Sequence, residues 1–307
     1  MNLINEILRY RLEEPERIKV LAARRIRRSK WERDKLVIVA MDHPGRRVVA
    51  AGGNPWAMAN RNDLLHRIIS VLMQPGVDGL LATPDVMEEV LLLNHIVTEA
   101  GGPNFVDNKV LVGSMNRGGL ANTEFELDDF VTGYTAKSIR YMNLDAGKLL
   151  FRLDPEIRDS HRTMKYCVDA LNELEDYELP CFLEPLTSSG TADDLVRLVG
   201  VASAMGHSTA HRWIKLPMVQ EMKRVAAATT CPIVLLGGMS PGKPGQMLEN
   251  VRNALEAGIN IRGLMIGRGV LYPEDGDSPV NVATKLVEVV KGKQQEVITW
   301  DGLKSIP

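Results

Sequence analysis

Eight short apolar segments, each followed by residues at helical spacing, constrain this chain more than any single motif. They are KLVIVAMD (35–42), VDGLLATP (77–84), NKVLVGSM (108–115), AGKLLFRLD (146–154), LPCFLEPL (179–186), HRWIKLPM (211–218), CPIVLLGG (231–238) and IRGLMIGRG (261–269). Most are continuous apolar runs rather than strict alternations, the pattern of parallel strands covered by helices. Between them, DVMEEVLLLNHIVTEAG has apolar residues at helical spacing and closes on Gly101, a C-cap signal. TADDLVRLVGVASAMG opens on Thr191 as N-cap, has Asp194 three residues on, and ends at Gly206.

Eight strand–helix units within 307 residues predict a (β/α)8 barrel, an α/β fold, over residues 35–307. An open doubly wound sheet is the rival. Its GxGxxG fingerprint is absent, because the first strand runs into MDHPGRR. Residues 1–34 read as an N-terminal helical extension that caps the barrel bottom or serves an interface. The connection after the third strand, NRGGLANTEFELDDFVTGY (116–134), is longer than the others. It is predicted to begin as a loop over the catalytic face, with a helix starting near Glu124.

Composition narrows the function classes. A net charge of −2 does not suggest a nucleic-acid or membrane partner, and no apolar run is long enough to span a bilayer. The three cysteines, Cys167, Cys181 and Cys231, lie far apart and form no disulfide framework. With no signal-peptide pattern, a reducing cytoplasm is the expected location. The histidines lack metal-ligand spacing, so neither a metal nor another cofactor is expected. The basic run RRIRRSKWERDK (24–35) follows Glu13, Glu14 and Glu16, which argues against a transit peptide. It reads as a solvated helix face or an oligomer contact, and a homo-oligomer is expected.

In such a barrel, chemistry sits at the C-terminal ends of the strands. The first strand ends in Asp42 and His43, the fourth carries Lys148, the fifth Glu184 and the sixth Lys215. The seventh ends in Gly237 and Gly238, the eighth in Gly267, Arg268 and Gly269. A lysine inside an apolar strand must be paired or give up its proton. Burial and a second cation both lower a lysine pKa, so Lys148 would help keep Lys215 neutral and nucleophilic. A neutral Lys215 amine condenses with a ketone or aldehyde, and the protonated Schiff base draws electrons from a neighbouring C–C bond. Glu184 is suited to moving the protons. Lys148 and Asp42 are expected to position substrate. Gly237, Gly238 and Gly267 let backbone amides approach a phosphate, and Arg268 adds a bidentate contact. Other roles stay open: Lys215 in an interior salt-bridge layer, Asp42 as a helix cap, His43 as a structural group, Gly237 and Gly238 as a tight turn.

These strands resemble those of the class I (Schiff-base) aldolase superfamily, with the nearest parallels in the tagatose-bisphosphate and sulfofructose-phosphate aldolase branch and the archaeal-type fructose-bisphosphate aldolases. VIVAMDHPG is similar to that family's first strand, which implies an active-site aspartate at Asp42. DAGKLLFRLDPE is similar to the fourth, with a substrate-binding lysine at Lys148, and PCFLEPLT to the fifth, with a proton-transfer glutamate at Glu184. HRWIKLP matches the sixth, which puts the Schiff-base lysine at Lys215. VLLGGMSP and GLMIGRGVLYP match the phosphate-binding ends of the last two. The chain also resembles an actinobacterial barrel family named deoxyribose-phosphate aldolase-like and associated with myo-inositol catabolism genes. The likeness covers nearly all of the chain after about residue 35.

Two departures qualify the resemblance. No threonine-serine pair follows Lys215, as it does in true deoxyribose-phosphate aldolases. The loop SMNRGGLANTEFELDD has no match in the sugar-bisphosphate enzymes, so Asn116 and Arg117 are expected to contact a different substrate group, a carboxylate. The resemblance implies a metal-independent class I aldolase acting on a phosphorylated keto-sugar or sugar acid, with 2-deoxy-5-keto-gluconate 6-phosphate as the candidate. The alternatives are a deoxyribose-phosphate aldolase, a metal-dependent barrel lyase or hydrolase, and a non-catalytic binding barrel.

Overall fold

A computed structural model describes residues 3–117, 120–124, 126–154, 156–237, 244–274 and 276–292. Its eight strands are β1 (Leu36–Met41), β2 (Gly79–Ala82), β3 (Val110–Ser114), β4 (Ala146–Arg152), β5 (Cys181–Leu186), β6 (Arg212–Pro217), β7 (Ile233–Leu236) and β8 (Ile261–Ile266). They pair in chain order and close into one barrel, β8 returning to β1, with every pairing parallel. The fold is therefore the (β/α)8 barrel, and each of the eight apolar segments contains one strand.

Side chains alternate across each strand, and the alternation sorts the chain into two apolar groups. One parity faces outward onto the helices. The other parity fills the barrel with Leu36, Ile38, Ala40, Leu81, Val110, Val112, Ala146, Phe182, Trp213, Val234 and Met265. The floor of the barrel is aromatic: Trp31 lies 5.9 Å from Phe182 and 5.7 Å from Trp213, ring centre to ring centre. Trp31 comes from the N-terminal extension, which thus closes the bottom of the barrel.

The extension has two helices, α1 (Leu3–Glu13) and α2 (Arg17–Arg24). The basic run after them is not simply a solvated helix face, because three of its seven cations, Arg25, Arg27 and Arg28, are paired beneath the barrel. Arg25, itself buried, donates to Asp145 at 2.9 Å, and Arg27 reaches the other oxygen of the same carboxylate at 2.8 Å. Arg28 pairs with Asp34 and Asp78. Asp78 and Asp145 immediately precede β2 and β4 and also accept the backbone N–H groups of Val37 and Leu111. One pair of carboxylates therefore fixes both strand starts and the strap below them.

The outer helices include α3 (Arg61–Leu72), α4 (Pro84–Glu99), α6 (Ser160–Asp176) and α7 (Ala192–Ser203). Thr191 caps α7 by accepting from the Asp194 N–H, as its spacing predicts. The helix expected near Glu124 starts instead at Ala136, as α5 (Ala136–Tyr141) behind a Thr135–Ser138 capping box. The stretch before it is held by tertiary contacts: the Thr163 hydroxyl of α6 donates to Leu127 O and accepts from the Asp129 N–H. Those contacts replace the local hydrogen bonds a helix there would have made.

Replacing Arg25 by methionine leaves the buried Asp145 carboxylate with only a half-exposed partner. The expected loss is about 3–5 kcal/mol of unfolding free energy, measurable by denaturant titration.

Candidate active site

Moving two residues up from the inward-facing Ala40, Ala146, Phe182 and Trp213 gives Asp42, Lys148, Glu184 and Lys215. The strand period alone turns all four side chains inward above the apolar floor. All are at least 95% buried. Lys148 Nζ lies 2.9 Å from Asp42 Oδ2 and 2.8 Å from Glu184 Oε2. Lys215 Nζ donates to that same Glu184 oxygen at 2.9 Å. In register Lys148 pairs with Phe182, one layer below Glu184, so its four-carbon stem climbs to reach the carboxylates. The capping role open to Asp42 is not its role here, since its carboxylate accepts from Lys148.

The arrangement makes the two lysines unequal. Burial pulls the Lys148 pKa down, but the carboxylates of Asp42 and Glu184 on either side outweigh it and leave it raised. At Lys215 burial wins: Glu184 pushes the pKa up, Lys148 pushes it down, and the net result is below the ordinary value. Burial raises Glu184, yet Lys148 and Lys215 together bring its carboxyl down to about 2. Asp42 is held well below its ordinary value, because the charge of Lys148 above all overcomes burial. His43 falls to about 3, chiefly through burial, so its imidazole is neutral beside Asp42. A lysine biased toward the free amine thus shares a carboxylate with a lysine biased toward the ammonium.

The other expected residues separate. Gly267 is pressed against β1: a Cβ there would stand 2.2 Å from Ala40 O and 2.7 Å from His43 Cε1. Arg268 follows it at the top of the barrel, half-buried; its guanidinium has no hydrogen bond or ion pair among the described residues. Gly237 ends β7, where a Cβ would meet Ile266 at 2.9 Å. Gly238 lies outside the described residues. Asn116, expected to meet substrate, is buried, and its amide accepts from Leu150 N and donates to Leu150 O, both at 2.7 Å. It extends the β3–β4 ladder by one rung. Arg117 is tied to the Thr132 hydroxyl at 2.9 Å.

Two cations were not anticipated. Arg152 lies on the inward parity of β4 above Lys148, pairs with Glu126 at 3.2 Å, and borders a cleft of about 210 Å³ over the ends of β4 and β5. Its spacing from Lys148 was the available signal. Arg46 stands on a single helical turn, Pro44–Arg46, right after Asp42 and His43. Among the described residues no three His, Cys, Asp or Glu side chains converge as a metal-holding group, and no helix is long and apolar enough to cross a membrane.

The sequence matches the model of the Cgl0159-like family over residues 34–286. The chain belongs to that family. The crystal structure of Cgl0159 from Corynebacterium glutamicum is 36% identical, with a TM-score of 0.86 over 94% of this chain and 96% of that one. The Cgl0159-like barrel is also similar to an archaeal fructose 1,6-bisphosphate aldolase, 16% identical with a TM-score of 0.62 over 90% and 99% of the two chains. A second archaeal fructose-1,6-bisphosphate aldolase structure, with the catalytic lysine covalently bound to the carbinolamine intermediate, is 16% identical with a TM-score of 0.61 over 89% and 99%. At that identity the likeness is one of fold. No curated protein matches the sequence.

The inequality of the lysines is open to measurement in this Cgl0159-like protein. The pH profile of Lys215 acylation, followed by mass spectrometry, is expected to be half-maximal below the ordinary lysine value of 10.5. In Lys148→Met it moves to higher pH, because the carboxylates then face Lys215 alone; movement to lower pH contradicts this electrostatic account. Glu184, held low in the folded state, contributes stability present above its unfolded value of about 4.3 and lost as pH falls toward about 2. Glu184→Gln is expected to flatten the fall of unfolding free energy across that window.

Proposed function

We propose that the chain is a class I aldolase that cleaves or forms a C–C bond of a phosphorylated keto-sugar or sugar acid through a Schiff base on Lys215. The observation that carries this reading is the single Glu184 oxygen between Lys215 Nζ at 2.9 Å and Lys148 Nζ at 2.8 Å. Neither a structural ion pair nor a simple binding pocket needs a second lysine there.

In this reading the neutral Lys215 amine attacks the substrate carbonyl carbon. The Lys148 ammonium gives its proton to the carbonyl oxygen, which forms the carbinolamine. Loss of water, with Glu184 carrying the proton between nitrogen and leaving oxygen, yields the protonated imine. A carboxylate, Asp42 or Glu184, takes the proton of the hydroxyl two carbons from the imine carbon. The C–C bond breaks, its electron pair moves into the imine, and an aldehyde leaves. Protonation of the resulting enamine and hydrolysis of the imine release the second product and restore the lysine. Gly237, Gly267 and Arg268 hold the phosphoryl group. The lysine-bound intermediate of the archaeal fructose-1,6-bisphosphate aldolase that shares the fold is consistent with this sequence of steps.

The finer substrate reading is 2-deoxy-5-keto-gluconate 6-phosphate, split to dihydroxyacetone phosphate and malonate semialdehyde. Arg117 is the residue offered to its carboxylate. Asn116 is not, because both ends of its amide are engaged by Leu150. Protein inert on that compound yet active on deoxyribose 5-phosphate would overturn the choice of substrate and leave the chemistry intact.

Borohydride reduction in the presence of a panel of phosphorylated ketoses and aldehydes is expected to add one substrate-derived mass to Lys215, located by peptide mass spectrometry. Lys215→Ala should abolish the adduct, and excess EDTA should leave turnover unchanged. An adduct on Lys148 would reverse the roles of the two lysines, and turnover lost in EDTA would favour a metal-dependent lyase.

A further inference from the structure

We propose that Arg46 and Arg268 clamp one dianionic phosphoryl group beside Asp42, so that the turn after β1 shares phosphate recognition with the end of β8. The inference rests on the phosphorylated-substrate reading above and adds Arg46, a residue outside the strand-end set, as a determinant of it.

The two arginines flank one point in the fold. Gly267 packs so closely on the end of β1 that a Cβ would touch Ala40 O and the His43 ring. Arg268 is the next residue along one chain segment, and Arg46 lies three residues past His43 along the other. The base of Arg46 is fixed from both sides: its N–H donates to His43 O at 2.9 Å, and its carbonyl accepts from Ala121 N–H at 3.0 Å. Its position over the barrel mouth is therefore set by backbone, not by a partner for its charge.

Neither guanidinium has a hydrogen bond or ion pair among the described residues, and Arg46 Nε is buried without a partner. A buried unpaired donor costs free energy until something accepts from it. The nearby carboxylates do not serve. Asp42 is taken by Lys148, Glu184 by Lys148 and Lys215, and Glu126 by Arg152. The charge of Arg46 lies near that of Arg268, whose pKa is lowered first by burial and then by Arg46. Two like charges held together, with Asp42, Glu184 and Glu126 already matched among the described residues, leave a surplus of positive charge that an anion neutralises. A phosphoryl dianion matches two guanidiniums in charge, and its oxygens match their forked N–H groups. A carboxylate monoanion matches only one.

The test reads anion binding without turnover. Calorimetric titration with inorganic phosphate is expected to show binding to the wild-type protein that weakens about 10- to 100-fold in Arg46→Gln and in Arg268→Gln. Arg46→Lys, which keeps the charge but loses the fork, is expected to fall between. Arg197→Gln, at an exposed arginine on α7, serves as the unchanged control. Acetate is expected to bind far more weakly than phosphate. A melting temperature for each variant separates lost binding from lost folding.

Unchanged phosphate affinity in a folded Arg46→Gln protein overturns the clamp, and so does acetate binding as tightly as phosphate. If that result comes with a borohydride adduct on Lys215, the aldolase reading survives without the clamp. If phosphate binding is lost in Arg46→Gln while no substrate is ever trapped on Lys215, the clamp stands and the aldolase reading falls.

Discussion

One carboxylate oxygen organises the top of this barrel. Glu184 Oε2 lies within 2.9 Å of two lysine nitrogens, and Asp42 takes the remaining side of one of them. An alternating chain of lysine and carboxylate in a nearly dry site is costly to break, because removing any member leaves its neighbour unpaired. It also breaks the symmetry between the lysines. The one between two carboxylates stays an ammonium; the one at the end of the chain is pushed toward the free amine. The two lysines are thus distinguished by position alone, with the same residue type in both places.

The rest of the fold serves that layer from below. Trp31, Phe182 and Trp213 fill the barrel floor, so the polar layer rests on a packed aromatic surface rather than on water. The strap that delivers Trp31 is tied to Asp78 and Asp145 at the starts of β2 and β4. Lys148 lies three residues beyond Asp145, on the strand anchored in this way. Three arginines of what looks in sequence like a surface patch, Arg25, Arg27 and Arg28, are therefore part of what positions the buried polar layer. The crowding of Gly267 against Ala40 and His43 works from above, bringing the end of β8 onto the turn after β1.

Much of this was readable from residue order. Eight apolar runs with helical spacers, a fold whose strand ends face one pocket, and charged residues at the upper ends of four strands together predict the convergence of Asp42, Lys148, Glu184 and Lys215. What was misread involved side chains whose partners lie far along the chain. Asn116 looks like a loop residue free to meet substrate, yet it bonds to Leu150, thirty-four positions away. The helix expected at Glu124 gives way to contacts with Thr163. Arg46 was passed over because nothing local marks an arginine in a turn as lacking a partner.

Periodicity determines, from sequence alone, which strand positions face inward, because a strand places every second side chain on the same side whatever surrounds it. That was enough to name the four buried polar residues and the barrel that gathers them. Only the tertiary structure decided who pairs with whom: which lysine lies between two carboxylates, which arginines are matched beneath the barrel, and which two stand unmatched at its mouth. Pairing depends on distances between residues far apart in the chain, 106 positions for Asp42 and Lys148 and 120 for Arg25 and Asp145. Such distances follow from closure and register, which no local stretch of sequence encodes.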